Sequence, residues 1–196
     1  MGTFLRFLVS INIGEVFACG KPKTKRYGKR IQKMRRTEYC EYVSQYRNQL
    51  YMTAYSILKN EMDAEDAACN AILKGYEHLD QLKNSHKFKP WMITITKNEA
   101  LKIRQKRLEL PGNEKVEELL NPAQDRYNEL WDIVQDLKEE YRLVIVMFYY
   151  DDLSIRDIAD VLDIPVGTVK SRLNRGREQL KEVLKEKGEG EYHDEI

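Results

Sequence analysis

The stretch from Leu153 to Lys181, LSIRDIADVLDIPVGTVKSRLNRGREQLK, decides how this chain is read. Ser154 is placed to cap a short helix in which Ile155, Ile158, Ala159 and Leu162 recur every three or four residues and share one face. Asp163-Ile164-Pro165 breaks that helix as a tight turn, and a second helix opens near Val166 with Val166, Val169, Leu173 and Leu180 expected inward. Two short helices crossing at a small residue, Ala159, form the helix-turn-helix pattern.

The opposite face of the second helix carries the chemistry. At about 3.6 residues per turn, Thr168, Ser171, Arg172 and Arg175 fall together, flanked by Lys170, Asn174 and Arg177. Guanidinium groups fork to guanine in the major groove, and hydroxyls serve bases or phosphates. Lys170 and Arg177 suit phosphate, which adds affinity without sequence choice. Charges alone would equally suit a solvated surface helix. The apolar turn, Ala159 and the basic helix taken together favour DNA.

Outward from this motif, the 196 residues allow one ordinary domain or two small ones. The charged fraction of 33% with few Gly or Pro favours helices, and strand-like alternation is absent over any useful length. Net charge is only +1, but it is segregated. Lys21 to Arg36 holds nine basic residues and no acid, Glu109 to Asp136 is mainly acidic, and Lys170 to Lys181 is basic again. A neutral total therefore conceals local phosphate-binding surfaces. Cys19, Cys40 and Cys69 have neither CxxC spacing nor an even count, and the three histidines are scattered. The expectation is a reducing compartment, with no metal and no cofactor. The apolar stretch Phe4 to Ala18 contains Arg6 and Glu15 and is too short to span a bilayer. A signal peptide and an amphipathic anchor are the alternatives to a leader outside the fold, and the leader is the simplest reading. Met34 is a candidate natural start.

Upstream, Thr37 is a reasonable N-cap for a helix carrying Tyr39, Tyr42, Val43, Tyr46, Leu50, Thr53, Ala54 and Ile57 in one stripe. Asn60 marks a break. A second helix is expected from Asp63, with the small stripe Ala64, Ala67, Ala68, Ala71, Ile72, Gly75 and Tyr76 allowing close approach of a neighbour. After a polar loop from His78 to Lys89, Pro90 suits the first turn of a third helix, with Trp91, Ile95 and Leu101 inward. Asn98 falls beside Ile95, where it is either a satisfied packing residue or a base-contacting one. Trp91 reads as core before stacking platform. Further helices carry Leu130, Ile133, Val134 and Leu137, then Tyr141, Val144, Ile145 and Phe148. The expected architecture is all-α: a basic leader over 1–36, a helical domain over 37–108, a flexible linker over 109–122, a helix-turn-helix domain over 123–187 and a frayed tail over 188–196.

Asp157-Ile158-Ala159-Asp160-Val161-Leu162, Pro165-Val166-Gly167-Thr168-Val169-Lys170-Ser171-Arg172-Leu173 and Arg175-Gly176-Arg177 resemble region 4 of the sigma factors of bacterial RNA polymerase, nearest the small extracytoplasmic-function group. Gly176 stands where the family often has Ala, at a helix-propensity cost of about 1 kcal/mol. Asp63-Ala64-Glu65-Asp66, Phe88-Lys89-Pro90-Trp91-Met92-Ile93 and Lys97-Asn98 with Ala100 resemble region 2 of the same group.

The resemblance implies that the helix bearing Asp63, Glu65, Asp66 and Asn70 docks on the polymerase clamp. It departs from the family at Cys69-Asn70 and at Ile72, and the three acids also suit a helix N-terminus through its dipole. The resemblance further implies that Lys97 and Asn98 handle the melted minus-10 element. Lys102 and Lys106 suit the backbone of a single strand. Thr168, Lys170, Ser171, Arg172, Arg175 and Arg177 form the candidate minus-35 set.

The expected partners are core RNA polymerase and promoter DNA, with an anti-sigma factor plausible from the family. No stable membrane insertion is expected, and the expected location is the cytoplasm. No nucleophile-base pair or phosphate-binding glycine loop is legible, so the chain is read as no enzyme. The main rival is a stand-alone helix-turn-helix repressor or activator. A recombinase would need a catalytic constellation that the sequence does not show.

Overall fold

The computed structural model describes residues 34–109 and 129–190, and the regular elements among them are all helical. The leader up to residue 33, the linker beyond Glu109 and the tail from residue 191 lie outside the described residues, as does the apolar stretch from Phe4 to Ala18.

Helix α1 spans Arg36–Leu58, α2 Glu61–Glu77 and α3 Phe88–Glu109. Short 3-10 turns at Leu79–Gln81 and Ser85–Lys87 occupy the expected polar loop. α1 starts ahead of the expected cap Thr37. The Arg35 backbone N–H donates to Glu38 Oε2 at 2.9 Å, and the Arg35 guanidinium pairs with Oε1 of the same residue at 2.8 Å. Glu38 at the third helical position thus supplies the reach-back half of a capping box, and no hydroxyl is needed. α2 likewise starts before Asp63, because the Asn60 side chain accepts the Asp63 backbone N–H at 2.9 Å and so caps the helix from outside.

The small stripe of α2 behaves as its composition requires. Ala64, Ala67, Ala68, Ala71 and Gly75 are all buried, letting α1 and α3 approach closely. At Gly75 a Cβ would sit 2.6 Å from both Tyr39 Oη and Met92 Sδ. The Tyr39 hydroxyl, lodged there, donates to the Ile72 carbonyl at 2.6 Å, and burial pushes its pKa above the usual phenol value.

The phase of α3 differs from the expected one. Its buried face is Phe88, Met92, Ile93, Thr96 and Ala100, whereas Trp91, Ile95 and Leu101 are half-buried and Asn98 is exposed. The helix is flanked on more than one side, which moves the deepest stripe by one position and places Glu99, not Asn98, in the interior.

The second half runs through α4 (Glu129–Asp136) and α5 (Glu139–Ile145), then a π turn over Val146–Tyr150, then α6 (Ile155–Leu162) and α7 (Val166–Gly190). The β-prone run from Val144 to Tyr150 is helical throughout. Among the described residues the two halves share one hydrophobic core. Leu50, Phe88 and Met92 from the first half belong to the same cluster as Val144, Met147, Ile158 and Leu173 from the second.

Candidate nucleic-acid interface

The helix-turn-helix is built from local signals. The Ser154 side chain accepts the Asp157 backbone N–H at 3.1 Å to start α6. Asp163 ends it in the left-handed region, φ 54° and ψ 49°, a conformation that an aspartate tolerates better than most residues. Ile158, Ala159 and Val161 of α6 and Val169 and Leu173 of α7 are buried. Val166, expected inward, is 40% exposed: it is the first residue of α7, and the buried stripe begins only at Val169. Gly176 has a packing reason. A Cβ there would meet Ile145 Cγ1 at 3.0 Å and Tyr141 Cβ at 3.4 Å, so glycine lets α7 lie close on α5.

Opposite Val169 and Leu173, α7 exposes Lys170, Ser171, Asn174 and Arg175, while Thr168 is half-buried. Ser171 Oγ donates to the Thr168 carbonyl at 3.0 Å. Arg172 pairs with Glu140 at 3.1 Å, an ion pair with substantial exposure on both sides and therefore easily exchanged. The Arg177 guanidinium lies over Phe148 and Tyr149, 5.5 and 5.6 Å from their ring centroids, in cation–π geometry.

The region-2-like surface has two sides. Along α2, Glu65, Asp66 and Asn70 are exposed, beside Met62 and Leu73, which are 77% and 63% exposed. Asp63 stands apart from them and pairs with Arg107 of α3 at 2.8 Å. Met62 and Leu73 escaped sequence reasoning. Their signal is that they share helical register with Asp66 and Cys69, off the small buried stripe.

On α3, Asn98 and Lys106 are exposed. Lys102 donates to Glu99 Oε1 at 2.8 Å, and Lys74 to its Oε2 at 2.7 Å. Burial pushes the Glu99 carboxyl up, but the bonds from Lys102 and Lys74 outweigh it and hold its pKa below the usual range. Lys97 Nζ donates across to the Val161 carbonyl of α6 at 2.7 Å. Burial lowers its pKa, against the attraction of Asp163.

The contact between halves holds several groups that the sequence did not single out. Arg142, 4% exposed, donates through Nε to the Ser56 carbonyl at 2.7 Å. Its Nη1 reaches the carbonyls of Gln135 and Leu137 at 2.9 and 2.7 Å. These acceptors stand at or just past helix C-termini, where carbonyls lack intrahelical partners and carry partial negative charge. Lys89 Nζ donates to the Asp151 carbonyl at 2.9 Å and sits 5.0 Å from the Tyr46 ring centroid. Lys87 pairs with Asp157, and Arg104 with Glu139 at 2.7 Å. A cleft of about 280 Å³ remains between Tyr42, Tyr46, His86 and Lys89 on one side and Asp152 and Asp157 on the other. Among the described residues no group of three His, Cys, Asp or Glu side chains could hold a metal, and no helix is long and apolar enough to cross a membrane.

Known proteins share both halves of this arrangement. Residues 42–108 match the Sigma-70 region 2 family, and residues 127–180 match Sigma-70, region 4. The chain is 30% identical over 177 residues to the ECF RNA polymerase sigma factor SigW of Bacillus subtilis, which spans 81% of this chain and 95% of that protein. It is 26% identical over 137 residues to the RNA polymerase sigma factor SigV of the same species, covering 68% and 82% respectively. Its fold is similar to that of the sigma factor RpoE from Bartonella quintana, solved in complex with the anti-sigma factor NepR. There the TM-score is 0.62 at 24% identity, covering 76% of this chain and 98% of that one. A stand-alone repressor or activator would not carry both regions in this order. With both sigma regions on one chain in this order, and a relative 30% identical over 177 residues, the protein belongs to the extracytoplasmic-function (ECF) sigma factors of RNA polymerase.

Proposed function

We propose a division of promoter recognition in which α7 reads the duplex minus-35 element and α3 of the first half handles the unpaired minus-10 element. The exposed face of α7 carries this reading: Lys170, Ser171, Asn174 and Arg175 point away from the core that Val169 and Leu173 enter. Arg172 and Arg175 are assigned to base edges, Thr168 and Ser171 to bases or phosphates, and Lys170 and Arg177 to phosphates. On α3, Asn98 takes a base, while Lys97, Lys102 and Lys106 follow the single strand's backbone.

Core RNA polymerase is the first partner. Its docking surface on α2 joins the acids Glu65 and Asp66 and the amide Asn70 to the exposed apolar groups Met62 and Leu73, with Asp63 at the edge. Apolar side chains ringed by charge suit an interface. The relative RpoE was solved with an anti-sigma factor, and a protein of that kind is the second partner proposed here. Work in the cytoplasm, and no chemistry beyond what the polymerase supplies, complete the reading.

The test is binding of promoter fragments by the reconstituted holoenzyme. Arg172→Ala should cost about 1–3 kcal/mol on the preferred sequence and relax choice at one position. Lys170→Ala should weaken all sequences evenly and flatten the salt dependence. Equal losses on every sequence for both variants would refute the base-reading role of Arg172.

A further inference from the structure

The junction between halves contains a carboxyl group in an unusual setting. Asp151, directly after the π turn, is 0% exposed. Its Oδ2 accepts from Thr53 Oγ1 of α1 at 2.9 Å, a contact bridging 98 residues. Its Oδ1 is buried and finds no hydrogen-bond partner among the described residues. Its main-chain carbonyl takes the Lys89 ammonium at 2.9 Å. A charged carboxylate with one bare oxygen is costly in such a place, whereas a protonated one is tolerated.

We propose that Asp151 is a proton-operated clasp between the two halves, closed when its carboxyl is protonated and loosened when it ionises. In the clasped arrangement Lys89 is committed to the Asp151 carbonyl and Lys97 to that of Val161, so Lys97 is not free for DNA. That consequence rests on the promoter reading given above; the clasp itself does not.

The neighbouring polar and charged groups oppose burial. From α3, Lys89 is the cation facing Asp151, and it favours ionisation, as does the bond from Thr53 on α1. Arg142 of α5 is committed to three carbonyls. The neighbouring acids Asp152 and Asp157 share the adjoining cleft, the latter paired with Lys87. Burial outweighs the favourable groups and pushes the Asp151 carboxyl from an ordinary 3.8 up to about 7. Because the closed state then binds the extra proton, it is favoured at the acid end. The closed-to-open ratio falls by up to about tenfold per pH unit between the two values and is flat above the higher one.

The experiment is energy transfer between dyes on the full chain without polymerase or DNA. The labels sit at Glu77→Cys and Lys181→Cys in a background of Cys19→Ser, Cys40→Ser and Cys69→Ser. We expect the closed-to-open ratio to drop roughly fiftyfold from pH 5 to pH 7 and to level off above pH 7.5. Asp151→Asn should stay closed across the range, and Thr53→Val, which removes a bond favouring the charged form, should move the midpoint upward. A ratio independent of pH in the parent, or the parent's slope retained in Asp151→Asn, would overturn the clasp. Either result would leave the promoter reading standing, since the measurement involves no DNA.

Discussion

Arg142 is a residue whose importance comes entirely from where distant parts of the chain meet. It is buried without a carboxylate bonded to it and is held by three main-chain carbonyls. Burial pushes its pKa below the usual guanidinium value, yet it stays charged at any physiological pH. Arg142→Leu should leave those acceptors unsatisfied and cost about 2–4 kcal/mol in denaturant unfolding. Gly75 presents the opposite case, a residue needed for what it lacks. Gly75→Ala should destabilise by about 1–3 kcal/mol through overpacking against Tyr39 and Met92, outweighing the helix propensity gained. A midpoint equal to or above the parent's would contradict this. Neither role is legible in sequence: Gly75 fits its small stripe, but the Tyr39 hydroxyl above it is 36 positions away. Ser154 and Asp163 were legible, because a cap and a turn are decided by neighbours within a few residues.

Helix α2 combines a buried stripe with the exposed face proposed above to dock on the polymerase. Leu73→Ser removes an apolar group that is 63% exposed, so folding should be preserved while affinity for core polymerase falls by about tenfold in a competition assay. Unchanged affinity would remove α2 from the polymerase interface. Between α2 and α3, Glu99 joins Lys74 and Lys102. Its carboxyl is held below the ordinary range, so its contribution to stability is present above the ordinary value and lost as pH falls through the lowered one. The parent's urea midpoint should therefore fall on acidification below about pH 4.5 more steeply than that of Glu99→Gln. Periodicity placed α3 correctly but set its inward phase one residue off. Trp91 and Ile95 look like core in one stripe, yet a helix packed on more than one side buries Met92, Ile93 and Thr96 more deeply. For the same reason Asn98 is exposed, as its proposed contact with a base requires.

For the whole described molecule, the sequence carried the all-helical class, the two regions and their order. The shared core was not legible in it. Lys97, Thr53 and Ser56 look like ordinary helix residues until α5, the π turn and α6 bring Val161, Asp151 and Arg142 against them. Those contacts span 64 to 98 residues, beyond the reach of any local pattern. The consequence is functional. The residues proposed to meet DNA are distributed over both halves, and Lys97 is tied to the opposite half here, so under that proposal promoter binding requires the contact to be released.

The most direct test of this division of labour is transcription by the reconstituted holoenzyme on a library of genomic fragments, with start sites and upstream sequences read in parallel. Starts are expected to share two separated sequence blocks, with preference within the upstream block relaxed by Arg172→Ala and within the downstream block by Asn98→Ala. Starts lacking a common upstream block, or two blocks indifferent to both substitutions, would contradict it.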